Sequence, residues 1–328
     1  MRKASVLVRL VVFGWLLLES CSTKQLAPNE APTVSIDSSS YVDIPAVAYV
    51  IGLSPDGSRL ALRDADFDIS VFDTKNGRRI CFTNQGCNFN YIKFTPDNTK
   101  LFGVLYGTSL TGDPQYLARV YDLSDSTFRL ITTVYNFTGP EIYDDASKIV
   151  GCSAPGQFMV YSAKNGSLLK KMTNRSMAIY TFGFIRDENA VIFRDEDTAR
   201  VWSLTNDNEI RHFVFEGGTN GYSAFGTSDE GHTLCAGSNY YDTRSGQSIA
   251  NLKSSMWFTE HYSYTIEHEQ GRDNIKIIKL TDGSTRTIVS PDSSVLGFLN
   301  VSSNEQSIAV TVSNGISPSA IVRVWKLR

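Results

Sequence analysis

A single segment type returns along this chain from residue 46 to the end. A short apolar strand runs into an aromatic or large aliphatic residue and then into a polar turn. The segments are ISVFDTKNG (69–77), ARVYDLSDS (118–126), FMVYSAKNG (158–166), ARVWSLTND (199–207), NYYDTRSG (239–246), IKIIKLTDG (275–283) and IVRVWKLR (321–328). Their matched positions are Phe72, Tyr121, Tyr161, Trp202, Tyr241, Ile278 and Trp325, spaced 49, 40, 41, 39, 37 and 47 residues apart. A period of about 40–45 residues is long enough for one four-stranded antiparallel sheet and too short for an independent domain. Seven such units must therefore bury their faces against one another.

A second landmark precedes most repeats. It reads SPDG (54–57), TPDN (95–98), YDDAS (143–147), RDEN (186–189), SDEG (228–231) and SSNEQ (302–306). Asp, Asn and Gly tolerate turn dihedrals, so each marks a hairpin between the first two strands, a and b. The apolar run after each turn (RLALRD, KLFGVLY, KIVGCSA, AVIFRD, TLCAG, SIAVTV) suits a strand covered on both faces. The sixth repeat, WFTEHYSYTIEHEQG, lacks the turn signature and is placed by spacing alone. Composition agrees with an all-β class: 18 Phe, 15 Tyr and 24 Gly with 20% charged residues, and no helical periodicity beyond the N-terminus.

DEDTARVWSL (195–204) and VRVWKL (322–327) resemble the WD-repeat superfamily, and the SPDG-type turns resemble those of bacterial TolB-type propellers. The resemblance covers roughly residues 33–328. It implies a seven-bladed β-propeller of four-stranded antiparallel blades. The family's Gly-His dipeptide and most Trp-Asp pairs are missing, and Gly231-His232 falls in an a–b turn, so the family's histidine network is not expected. The last repeat stops after its third strand, which would leave an unpaired edge. Residues 33–44 (TVSIDSSSYVDI) are expected to supply the missing outer strand and so close the ring.

The N-terminus reads as an address. Arg2, Lys3 and Arg9 precede an apolar run, Leu10 to Leu18, that is shorter than the roughly 20 residues of a membrane span. Leu18-Glu19-Ser20-Cys21 resembles a bacterial lipobox, with Glu19 departing from the usual uncharged residue. The resemblance implies a signal peptide over 1–20, a lipidated Cys21 and a polar tether over 21–32. Ser22 fits outer-membrane sorting with the propeller facing the periplasm. The alternative is a secreted protein, for which sequons at Asn136, Asn165, Asn174 and Asn300 would matter.

Catalytic signatures are not evident. The four histidines (His212, His232, His261, His268) fall in different repeat positions, and TNGYSAFG (219–226) lacks the spacing of a nucleophile elbow. No catalytic residue, metal site or cofactor is expected. Asp64, Asp66 and Asp68, like Asp195, Glu196 and Asp197, read as solvated b–c turns, because calcium needs six to eight oxygen ligands. Cys81 and Cys87 flank a short connection (CFTNQGC) that a disulfide could close in an oxidising compartment; otherwise they are two further thiols. The net charge is −3 with no basic run, which excludes a footprint for nucleic acid.

What remains is surface. The b–c turns and d–a connections share one end of a propeller of this kind, where GTSLTGDPQY (107–116) and SNGISPS (313–319) form longer excursions. Tyr116, Tyr135, Phe137, Arg194, Tyr222, Trp257 and Arg272 are the candidate binding face there, with Phe258 beside them, since aromatics and arginines dominate interaction hot spots. The expected function is a non-catalytic, membrane-tethered platform for envelope proteins. The alternative is a propeller that binds or converts a small ligand in its channel, like the lactonase-type or quinoprotein propellers.

Overall fold

A computed structural model describes residues 34–35, 41–83, 89–108, 114–125, 127–135, 138–142, 147–154, 157–173, 182–195, 197–215, 225–228, 230–252, 257–269, 272–290, 295–313 and 321–327. The two N-terminal strands are β1 (Val34–Ser35) and β2 (Tyr41–Pro45). Strands a to d of blade one are Val50–Leu53, Arg59–Arg63, Ile69–Asp73 and Arg79–Thr83. Those of blade two are Tyr91–Phe94, Lys100–Thr108, Pro114–Asp122 and Arg129–Tyr135. Blade three runs from Thr138–Ile142 to Leu168–Thr173, blade four from Phe182–Ile185 to Glu209–Val214, and blade five from Phe225–Thr227 to Ser248–Asn251. Blade six spans Trp257–Phe258 to Thr285–Val289, and blade seven holds Val295–Val301, Ser307–Ser313 and Ile321–Lys326. Each sheet is ordered a-b-c-d, so the chain forms a seven-bladed β-propeller. First strands of most successive blades adjoin, which puts them innermost around the channel.

Burial follows from that layering. The b strands lie between neighbouring blades, and Ala190, Val191, Ile192 and Phe193 are all buried. The outer d strand of the same blade alternates half-buried with exposed residues, because one face meets water. The core is seven apolar clusters, one at each junction between blades. The junction of blades five and six is the smallest, with Cys235, Tyr240 and Leu280 at its centre and Phe258 packed edge-on against Tyr240. Phe258 is therefore partly buried, packed against this core cluster.

The ring shuts through the N-terminal segment, with the described closing pairs running from residue 41 to residue 45. Among the described residues β2 completes blade seven, pairing antiparallel with its third strand from Tyr41 opposite Trp325 to Pro45 opposite Ile321. Val34 and Ser35 instead run parallel to the outer strand of blade six, beside Arg286 and Thr287. The segment thus bridges two blades. Arg323 fastens β2 with a bidentate bond to Asp43 (2.7 and 3.0 Å) and lies over the rings of Tyr41 and Trp325. At the inner edge, the Leu53 N–H donates to Asn300 Oδ1 across the same seam (3.0 Å). That bond occupies the side chain of one of the four sequons.

Candidate binding face

The two ends of the ring are chemically unlike. The a–b and c–d turns crowd one end, where most polar side chains bond internally. In blade one the Ser54 hydroxyl donates to Asp56 and accepts the Arg59 N–H, both at 2.8 Å. The same exchange recurs through Thr95, Asp97 and Lys100 and through Ser302, Asn304 and Ser307. In blade five the Ser228 hydroxyl donates to Glu260, which belongs to blade six (2.6 Å). Blade six has no such acid of its own in the turn position, and Glu305 of blade seven serves it, accepting from Thr259 Oγ1 and the His261 N–H. Glu305 does so from a positive φ of 60°, at the turn position that Gly57 and Gly231 occupy in other blades. The weak sixth repeat is thus completed from next door. Arg211–Glu188, Arg186–Glu230 and Arg244–Asp187 add ion pairs at this end.

The opposite end carries the b–c turns and d–a connections. Six described aromatic side chains are exposed: Tyr49, Phe67, Phe82, Tyr135, Trp257 and Phe298. None lies in an a–b or c–d turn. Tyr49 and Trp257 stand at the entry to strand a, Tyr135 ends a d strand, and Phe82 sits one residue before the end of another. Phe298 projects from an innermost strand at a β-bulge between Leu296 and Leu299. Its N–H bonds to the buried Thr311 hydroxyl (2.8 Å), so the bulge leaves no donor stranded while re-aiming the ring.

The most built feature here is the b–c turn of blade one. Asp64 Oδ1 accepts the N–H groups of Asp66 and Asp68 (3.0 and 2.9 Å), and this closes the turn. Phe67 within it has φ of 65°, a conformation costly for a bulky side chain. The Arg63 guanidinium lies between two rings, 5.5 Å from the centroid of Tyr49 and 5.4 Å from that of Phe67. Arg194, near the matching end of strand b in blade four, is buried to the same degree as Arg63, each at 9% exposure.

Of the residues expected at this face, Tyr135 and Trp257 are exposed on it. Tyr116 and Arg272 lie in strands that frame b–c turns, with side chains outside the described residues, as are Phe137 and Tyr222 altogether. The excursion expected over 107–116 is partly a longer hairpin, paired as far as Thr108 and Pro114. Sequence reading missed Tyr49, Phe67, Phe82 and Phe298. An aromatic inside an acidic turn (DADFD) was the available signal for Phe67.

Among the described residues no group of three or more His, Cys, Asp and Glu side chains could hold a metal ion. His212 bonds Glu209 at 2.6 Å and His261 bonds Glu305 at 3.2 Å, on separate blades. Cys81 and Cys235 are buried free thiols, each pushed up to about 11 by burial. Cys87 and the whole N-terminus through residue 33, with Cys21, lie outside the described residues. No protein-family model matches the chain, and no curated protein matches it. The fold itself defines the class, a seven-bladed β-propeller consistent with the WD-repeat-like type.

Proposed function

We propose that this chain is a non-catalytic interaction platform, tethered to a bacterial membrane through a lipid on Cys21 and binding envelope proteins with its b–c turn face. One observation carries the reading: the exposed aromatics among the described residues gather at that end and on an innermost strand, while the a–b turns of the other end bond their polar groups within the ring. Exposed aromatics are among the residues from which hot spots are made. The tether rests on the basic, apolar and cysteine-terminated leader and its polar sequel.

Crosslinking in native membranes tests both parts. A defined protein should be recovered with the wild type and with a control altered at the other end (Lys75→Ala, Lys164→Ala). It should be lost when Tyr49 and Tyr135 become serine, and reduced when Cys21→Ala removes the anchor. Equal recovery from all four chains would overturn the platform reading. The alternative, a small ligand in the channel, draws on Phe298 alone; its signature would be ligand binding that survives the Tyr49 and Tyr135 changes but fails in Phe298→Ala.

A further inference from the structure

Resting on the platform reading, we infer that the b–c turn of blade one is the anchor for a basic segment of the protein partner, receiving an arginine or lysine side chain at Phe67, Asp66 and Asp68.

Three observations converge on a cation. The first is the ring itself. Phe67 is 42% exposed and is held at positive φ, a region that elsewhere among the described residues takes Gly or a polar side chain. The backbone alone would favour Gly there, so it is the ring's contacts, with Arg63 on the inside and with whatever meets its exposed part, that the position holds. The second is Arg63. Its guanidinium already lies over Tyr49 and Phe67, so these rings accept a cation within the protein itself.

The third is charge. Asp64, Asp66 and Asp68 stand against the single cation of Arg63 within six residues. Asp64 is occupied by the turn's own N–H groups, and the carboxylates of Asp66 and Asp68 have no partner among the described residues. Acids elsewhere on the described surface commonly do, as in Asp97–Lys100, Asp195–Arg200 and Glu267–Lys276. An incoming guanidinium would meet two free carboxylates beside an exposed ring, extending the stack that Arg63 begins. An acidic or purely apolar segment would leave both carboxylates beside it uncompensated, which selects against it.

The probe is a fluorescein-labelled Gly-Ser peptide carrying two arginines, with glutamate and leucine versions as controls, titrated by anisotropy against the full chain in detergent. Binding should favour the arginine peptide by at least roughly ten-fold and should weaken between about 50 and about 300 mM salt. Asp66→Asn with Asp68→Asn should weaken it by roughly five-fold or more, and Phe67→Gly by roughly three-fold or more without lowering the melting temperature, since Gly suits that φ. Equal binding of the arginine and glutamate peptides overturns the inference. So does an arginine peptide insensitive to these substitutions, or one displaced by calcium through the same aspartates. Loss of partner crosslinking in the Tyr49 and Tyr135 variant, together with an inert arginine peptide, would leave the platform standing and remove only the basic segment.

Discussion

Replacing Asp43 by alanine removes the carboxylate that clamps the closing strand to blade seven. Arg323 stays behind with its side chain 3% exposed, while Asp43 itself is about one-third exposed, at 34%. An exposed ion pair contributes at most about 1 kcal/mol, whereas stranding a buried charge costs about 3–5 kcal/mol. Asp43's exposure places this pair between those limits, near 2–3 kcal/mol, because water can replace part of what the carboxylate supplied. The rings of Tyr41 and Trp325 still face the cation and soften the loss. At about 2–4 °C per kcal/mol for a large domain, the melting temperature should fall by roughly 5–10 °C. A second variant separates charge from shape. Asp43→Ala combined with Arg323→Met removes the stranded cation and keeps much of its packing, so it should recover part of the loss. Thermal unfolding of the full chain, followed by circular dichroism and repeated in urea, reads both. A fall below about 1 °C for the single variant, or a double variant at the sum of the two singles, refutes the clamp.

Other expectations follow from single residues. At Gly231 (φ 82°) an added Cβ would lie 1.8 Å from the Phe184 carbonyl oxygen, so Gly231→Ala should unfold or severely destabilise the ring. Gly283→Ala (φ 70°), with open space around it, should cost only the strain of about 1–2 kcal/mol. With the other cysteines replaced by serine, Cys81 and Cys235 should resist a thiol-directed dye near pH 8 until the protein unfolds, since burial keeps both protonated; prompt labelling would contradict their placement. Bonds from the Ser124 N–H and from Arg129 hold the Asp122 carboxyl well below the ordinary range, and bonds from the Ser284 hydroxyl and N–H lower Asp282 to about 2. Their folded pKa values lie below the unfolded ones, so their contribution is complete above about pH 4 and fades as pH falls toward 2. Melting temperature against pH should decline over that window, and less steeply in an Asp122→Asn, Asp282→Asn variant.

Much of the architecture was legible in the chain because it is written locally. The turn residues Ser54-Pro55-Asp56-Gly57 and their repeats specify a hairpin wherever they occur, and the spacing from Phe72 to Trp325 counts the blades. Even blade six, without the turn signature, lies where spacing put it. Other features required the folded ring. That Tyr41–Pro45 closes blade seven while Val34–Ser35 passes to blade six depends on which outer edges stand open after every blade has formed. That Glu260 and Glu305 complete their neighbours' turns is invisible in a single repeat, since the groups they join come from different blades. Arg63 and Arg194 both precede an aspartate at the far end of a b strand, and the sequence does not show that Arg63 lies over two exposed rings. Turn chemistry and alternation act over a few residues, so a sequence can state them alone. Exposure and partner choice at the binding face are set by residues far apart in the chain, as when Leu53 meets Asn300, and only the tertiary structure decides them.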